Sequence, residues 1–268
     1  MRAMATSSAR PLALVTGASS GIGASFAKRL ARDGHDLVAV ARRRDRLEEL
    51  AASLPGCAVE IVQADLGTDE GLAAVCTIAA ERPLALLVNN AGLAHYMPFV
   101  DLPADKAQEL VRVNVLAPTM IARAAAAPMA RRGAGAIINV ASLLAFSGAA
   151  QMPHLPQRAV YAGTRAFVVT FSQVLAAELA GSGVRVQALC PGIVRTEFHT
   201  RQGIDLSARP RAEPDDVVAG SLAGLELGEV VCAPMLEDAG ALERLKQAEL
   251  AVLGAAQVTE LASRYRGR

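Results

Sequence analysis

From residue 12 onward, short apolar runs alternate with longer stretches whose apolar positions recur every three or four residues. The runs are "LALVT" (12–16), "DLVAV" (36–40), "AVEIVQ" (58–63), "LALLVNN" (84–90), "AIINVAS" (136–142), "VRVQALC" (184–190) and "EVVCA" (229–233). Apolar side chains on both alternating positions suit strands covered on both faces, and a helix between each consecutive pair makes the strands parallel. The pattern predicts an α/β fold: a doubly wound, seven-stranded parallel sheet with helices on both faces, Rossmann-like. No low-complexity linker or internal repeat interrupts it, so one domain is expected over 12–268, preceded by a disordered N-terminus at 1–11. The segment 238–263 reads as a closing amphipathic helix. Two long loops, 143–158 and 195–214, follow strands at their carboxyl ends, where open α/β sheets bind ligands.

The first strand runs into "TGASSGIG" (16–23) and then into a helix reaching about residue 32. Glycines at 17, 21 and 23 remove β-carbons where the backbone must turn tightly and let a phosphate approach the N–H groups of the helix start. This is a dinucleotide-binding turn, with G-x-x-x-G-x-G spacing, and Gly17, Ser19, Ser20, Gly21, Ile22 and Gly23 are its candidate contacts. The second strand is followed by "RRR" (42–44), with Arg42 nineteen positions past Gly23. An acidic residue there would grip the ribose 2′-hydroxyl of NAD, whereas arginine pairs with the 2′-phosphate of NADP. Three cations at a helix start also oppose its dipole and so call for an anion. NADP(H) is the expected cofactor, NAD(H) the less favoured one, with Arg42 and Arg43 as ligands.

Composition narrows the class further. The chain has 268 residues, 52% of them hydrophobic and 20% charged, with a net charge of +1. That balance gives no electrostatic reason to expect nucleic acid or anionic lipid as a partner and favours a small molecule. The four cysteines, Cys57, Cys76, Cys190 and Cys232, lack zinc-site spacing and disulfide density, so they read as buried thiols and no metal is expected. The opening residues lack a signal-peptide core and no uncharged run is long enough to span a bilayer, so a cytoplasmic protein without membrane association is expected.

With these features in place, the chain resembles the short-chain dehydrogenase/reductase family in its shorter, single-domain branch. The resemblance covers about residues 12–200. It is carried by "TGASSGIG", Asp65 in "ADL", "NNAG" (89–92), Asn114 in "VNVLAP", Ser142 in "NVAS", the helix from Tyr161, and "PGIVRT" (191–196). It implies hydride transfer between a nicotinamide cofactor and a ketone, aldehyde or secondary alcohol. It further implies that Asp65 and Leu66 border the adenine, that Asn90, Ala91 and Gly92 line the adenosine ribose, and that Val194 and Thr196 hold the carboxamide. Tyr161 would be the general acid/base, with Arg165 beside it and the cofactor; Ser142 would bond the substrate oxygen and Asn114 would order a water. A homodimer or homotetramer through the helices near 102–128 and 158–180 is expected by the same analogy.

Two departures stand out. The family has lysine where this chain has Arg165, one helical turn after Tyr161 and on the same face. A free phenol ionises near pH 10, and lowering that by about three units takes roughly 4 kcal/mol of preferential phenolate stabilisation. Arginine supplies the field, but as a planar fork it fits the ribose contact less well and cannot shuttle a proton. The alternative to an active reductase is therefore an NADP(H)-binding protein with weak or no turnover; an epimerase or dehydratase is less favoured. The second departure is the gap of nineteen positions between Ser142 and Tyr161, several more than usual, with the extra residues in 148–157. If that displaced Ser142, Ser147 would be the substitute. His154 in the same loop reads as solvated.

Overall fold

Each apolar run becomes a strand: β1 (Leu12–Thr16), β2 (Asp36–Ala41), β3 (Val59–Gln63), β4 (Leu84–Asn89), β5 (Gly135–Val140), β6 (Val184–Leu189) and β7 (Val231–Cys232). All pair in parallel, in the order β3-β2-β1-β4-β5-β6-β7. This is the expected doubly wound sheet. The order reverses between β1 and β4, so the crossovers of the two halves leave a crevice at the carboxyl ends of those strands. At the far edge β7 pairs only through Val231 and Cys232, and Pro234 just beyond cannot donate to a ladder. The computed structural model describes residues 10–148, 155–238, 240–255 and 259–266.

The helices are α1 (Gly21–Arg32), α2 (Arg44–Ala52), α3 (Asp69–Glu81), α4 (Ala104–Val111), α5 (Ala117–Arg132), α6 (Ala159–Glu178), α7 (Glu197–Thr200), α8 (Pro214–Glu226) and α9 (Gly240–Ala255). Alternate strand residues feed opposite cores. Ala13, Val15, Leu37 and Ala39 join Phe26 and Leu30 of α1 and Val217 and Val218 of α8. Leu14, Val38 and Val40 face the other way, onto Leu72 and Val75 of α3 and Ile121 and Met129 of α5.

Between α4 and α5 the helix widens into a π segment, Arg112–Leu116. By length and composition alone the run Ala104–Arg132 could cross a bilayer. In this fold Leu110, Val113, Ala117, Ile121, Ala125 and Met129 along it are buried, and α5 packs on α3 and the sheet, as a core helix does.

The chain clusters into two compact units, Met1–Met235 with the whole sheet and Leu236–Arg268 with α9. Helix α9 lies inside the closing helix expected over 238–263. The expected domain over 12–268 spans both units, while the expected disordered stretch 1–11 falls mostly outside the described residues.

Candidate active site

The glycine-rich turn is built by close approach. Gly17 and Gly21 have φ of 68° and 55°, in the left-handed region that favours glycine. A β-carbon on Gly23 would sit 2.3 Å from the Gly17 carbonyl oxygen, and one on Gly21 would sit 2.9 Å from the Thr196 methyl. Asn90 ties the turn to the end of β4: its Nδ2 donates to the Thr16 and Gly17 carbonyls at 2.9 and 3.3 Å, and Thr16 Oγ1 accepts from the Asn90 and Ala91 amides. The side chain that the resemblance set beside a ribose is thus engaged in shaping the phosphate turn.

The anion that the arginines call for is supplied in part by the protein. Arg43 Nη2 donates to Ser19 Oγ and Ser20 Oγ, both at 3.0 Å, while Nη1 donates to Glu197 at 3.2 Å. Glu197 also pairs with Arg46, at 3.8 Å, and with Arg201. Hydrogen bonding from Arg201 is the largest influence on the Glu197 carboxyl; burial opposes it, the Arg43 hydrogen bond adds to it, and the net effect holds the carboxyl below its ordinary range. Arg42 is exposed, 3.8 Å from the Asp65 carboxylate, whose other oxygen accepts from the Gly67 amide at 2.9 Å.

On α6 the buried positions are Tyr161, Thr164, Arg165, Val168, Val169 and Ser172, a stripe at helical spacing. Buried polar links pin this helix to the sheet: Asn89 Nδ2 to Asn139 at 2.9 Å, and Asn139 Nδ2 to Ser172 at 3.0 Å. Tyr161 and Arg165, each only 5% exposed, lie where that stripe meets the cavity. The guanidinium sits over the Tyr161 ring, 5.0 Å from its centroid. Nη1 donates to the Val140 carbonyl at 3.1 Å and Nη2 to Asn114 Oδ1 at 3.2 Å. Among the described residues no carboxylate pairs with it, so it is a buried cation without an anionic partner.

Asn114, in the π segment, spends all four of its side-chain capacities within the protein. Nδ2 donates to the Leu93 carbonyl and Thr164 Oγ1; Oδ1 accepts from the Leu93 amide and Arg165. Its side chain has no capacity left for a water, and its visible work is to hold Arg165. Ser142 Oγ accepts from the Leu144 amide at 3.1 Å, and its own proton has no partner among the described residues. Ser147 is committed elsewhere, donating to the Leu144 carbonyl at 2.7 Å and accepting from Arg158 Nε at 2.9 Å. Ser147, the substitute expected had Ser142 been displaced, thus has both its proton and an acceptor site engaged within the protein. His154 and most of the added loop lie outside the described residues.

One cavity of about 1030 Å³ joins these groups. It runs from Gly17, Ser19, Ser20, Gly21 and Ile22 past Arg42, Arg43, Asp65, Leu66, Asn90, Ala91 and Gly92 to Ser142, Tyr161, Arg165, Val194 and Thr196. Gly23 lies behind the turn and Asn114 behind Arg165. The shape suits an extended dinucleotide ending at Tyr161, and the glycine cradle that a β-carbon would fill fits its pyrophosphate. The cavity continues to Tyr96, Leu144, Leu155, Pro156, Phe198 and His199; all but Tyr96 fall in the two long loops expected at the ligand-binding ends of the strands. Tyr96 was visible only as a rare aromatic in a chain that is 3% aromatic. Among the described residues no group of His, Cys, Asp or Glu could hold a metal ion.

Fold and site together define an oxidoreductase of the doubly wound α/β class. The chain belongs to the short chain dehydrogenase family, whose pattern matches residues 11–206. Among solved structures it is similar to a short-chain dehydrogenase from Sphingobium yanoikuyae in complex with NADPH, at 40% identity and a TM-score of 0.90 over 95% of this chain and 100% of that one. It is also similar to the bulky-bulky ketone specific alcohol dehydrogenase from Comamonas testosteroni, at 35% identity and a TM-score of 0.87 over 97% and 100% of the two chains. An uncharacterized oxidoreductase of Staphylococcus aureus is 30% identical over 216 residues, 80% of this chain and 90% of its own length.

Proposed function

We propose that this protein is an NADP(H)-dependent oxidoreductase that interconverts a ketone or aldehyde and its alcohol, with Tyr161 as general acid/base. The observation that carries this reading is the buried Arg165 cation over the Tyr161 ring in the cavity, which has no carboxylate partner among the described residues. The cation stands next to the phenol, where it can meet the negative charge that develops there during proton transfer. When bound, the nicotinamide would supply or accept the hydride. The glycine turn would hold the pyrophosphate, and Arg43, Ser19 and Ser20 the 2′-phosphate. Ser142 would donate its free proton to the substrate oxygen. As charge builds on that oxygen, the Tyr161 hydroxyl delivers its proton and the Arg165 field stabilises the phenolate left behind. The NADPH complex of the Sphingobium relative and the ketone named for the Comamonas enzyme support cofactor and substrate class.

The test follows NADPH absorbance against a panel of ketones and aldehydes, with NADH in parallel. Wild-type protein should oxidise NADPH with at least one carbonyl and bind NADPH more tightly than NADH; equal affinities would overturn the NADP assignment. Tyr161→Phe should abolish reduction and leave cofactor binding in place. A second reading, binding without turnover, is favoured by one observation: Nη1 and Nη2 of Arg165 donate to Val140 and Asn114, which ties the planar fork to β5 and the π segment where a lysine would offer a compact, movable point donor to the ribose. Tight NADPH binding with no turnover across the panel would select it. Exposed Val111, Leu116, Phe167 and Val174 on the helices named above support a homo-oligomer as part of this proposal.

A further inference from the structure

Charge gathers where α7 meets the cofactor cleft. Three arginines, two from the start of α2 and one from the end of α7, converge on the Glu197 carboxylate: Arg43 at 3.2 Å, Arg46 at 3.8 Å, and Arg201 one helical turn along from it. The same Arg43 donates through Nη2 to Ser19 Oγ and Ser20 Oγ of the glycine turn, both at 3.0 Å. One side chain thus bridges the phosphate turn and α7. The residue before Glu197 fixes its place: a β-carbon on Gly21 would lie 2.9 Å from the Thr196 methyl, so the chain at 196 packs directly on the turn.

We propose that Glu197 is a determinant of cofactor selectivity: its carboxylate competes with the 2′-phosphate of NADP(H) for Arg43. The inference rests on the reading that Arg43, Ser19 and Ser20 hold that phosphate. A phosphomonoester carries about two negative charges at neutral pH, and the carboxylate already engages Nη1 of the arginine that is to receive it. For the phosphate to take Arg43 fully, the carboxylate gives up that bond and stays on Arg201 and Arg46. NADH has no such phosphate and leaves the contact intact. Glu197 therefore lowers affinity for NADPH and not for NADH, moderating the preference that the arginines create.

The surroundings keep the competitor charged and set the size of its effect. With its carboxyl held below the ordinary range, chiefly by the Arg201 hydrogen bond, Glu197 is an anion at neutral pH. Both Glu197 and Arg43 are partly open to water, so solvent screens their attraction and the competition amounts to a few-fold in affinity. Arg42 meets a weaker rival. It lies 3.8 Å from the Asp65 carboxylate, and both of those side chains are more exposed than Arg43 and Glu197, so Arg43 is where a carboxylate and a phosphate most directly contend.

The experiment measures dissociation constants of NADPH and NADH on the full-length protein by isothermal titration calorimetry at neutral pH, for wild type, Glu197→Gln, Arg43→Gln and the double variant. Glu197→Gln should bind NADPH about threefold more tightly and NADH as wild type does. In the Arg43→Gln background the same change should bring no gain, because the contact it relieves is already gone. An unchanged or weakened NADPH affinity in Glu197→Gln overturns the proposal, as does an equal gain for both cofactors or a gain that survives loss of Arg43. Arg43→Gln by itself tests the reading underneath and should weaken NADPH while sparing NADH. If it spares both or weakens both alike, the 2′-phosphate assignment falls and the inference with it. If it weakens NADPH alone while Glu197→Gln changes nothing, the assignment stands and only the inference falls.

Discussion

Gly92 and Arg165 constrain one another. A β-carbon on Gly92 would lie 2.3 Å from Arg165 Nη2 and 3.3 Å from Asn114 Oδ1. Gly92→Ala should push the guanidinium off Asn114 and reduce turnover on the order of a hundredfold, measured as kcat alongside a thermal melt that shows the protein still folded. Arg165→Met should destabilise by about 1–3 kcal/mol, since the Val140 carbonyl and Asn114 Oδ1 lose a donor inside the protein; urea denaturation checks this. Arg165→Lys keeps the cation in a slimmer form and should keep or raise turnover. A large loss would mean that the fork geometry of the guanidinium is itself required. At this scale the one-turn spacing of Tyr161 and Arg165 was legible because helical periodicity alone sets a shared face. The partners of Arg165 were not, because Val140 and Asn114 come from β5 and the π segment.

Among the elements, α7 carries the most untested weight. Thr196 Oγ1 caps it by accepting from the Phe198 amide at 3.3 Å, and Glu197 ties it to Arg43 of the cofactor cleft. Because the Glu197 carboxyl is held below its ordinary range by Arg201 first and Arg43 next, the tie contributes fully above the ordinary carboxylate range. It is lost as pH falls through the lowered native value. The carboxylate is 43% exposed, so solvent screening keeps the effect on global stability small. The expected readout is local: amide hydrogen exchange at 197–201, corrected for intrinsic rates, should speed up on acidification. Glu197→Gln should remove that pH dependence. The strands were readable to within a residue or two because buried parallel strands need unbroken apolar runs. Helix α7 was hidden inside a polar loop, since four residues carry no usable period.

For the molecule as a whole, the packing of both sheet faces sets chemical reactivity as well as stability. Cys190 is pushed up to about 12, first by burial and then by Cys232 nearby. Cys232 is also pushed up to about 12, by burial and then by Glu229. The thiolate is the reactive form, so both cysteines should resist iodoacetamide at pH 8 in native protein and react fully in denaturant, as read by mass spectrometry. Fast native alkylation at either one would show that the sheet edge at β6 and β7 opens more readily than its burial implies.

The sequence by itself determined the layering, the strand positions, the glycine turn and the shared face of Tyr161 and Arg165, because these follow from local periodicity and from the steric freedom of glycine. Tertiary structure decided what each polar group touches: Asn90 on the turn, Asn114 on Arg165, Arg43 on Glu197 across 154 positions, and Tyr96 on Tyr161. Those pairings depend on which strand ends meet at the point where sheet order reverses. That is a long-range geometric outcome, and no short stretch of sequence encodes it.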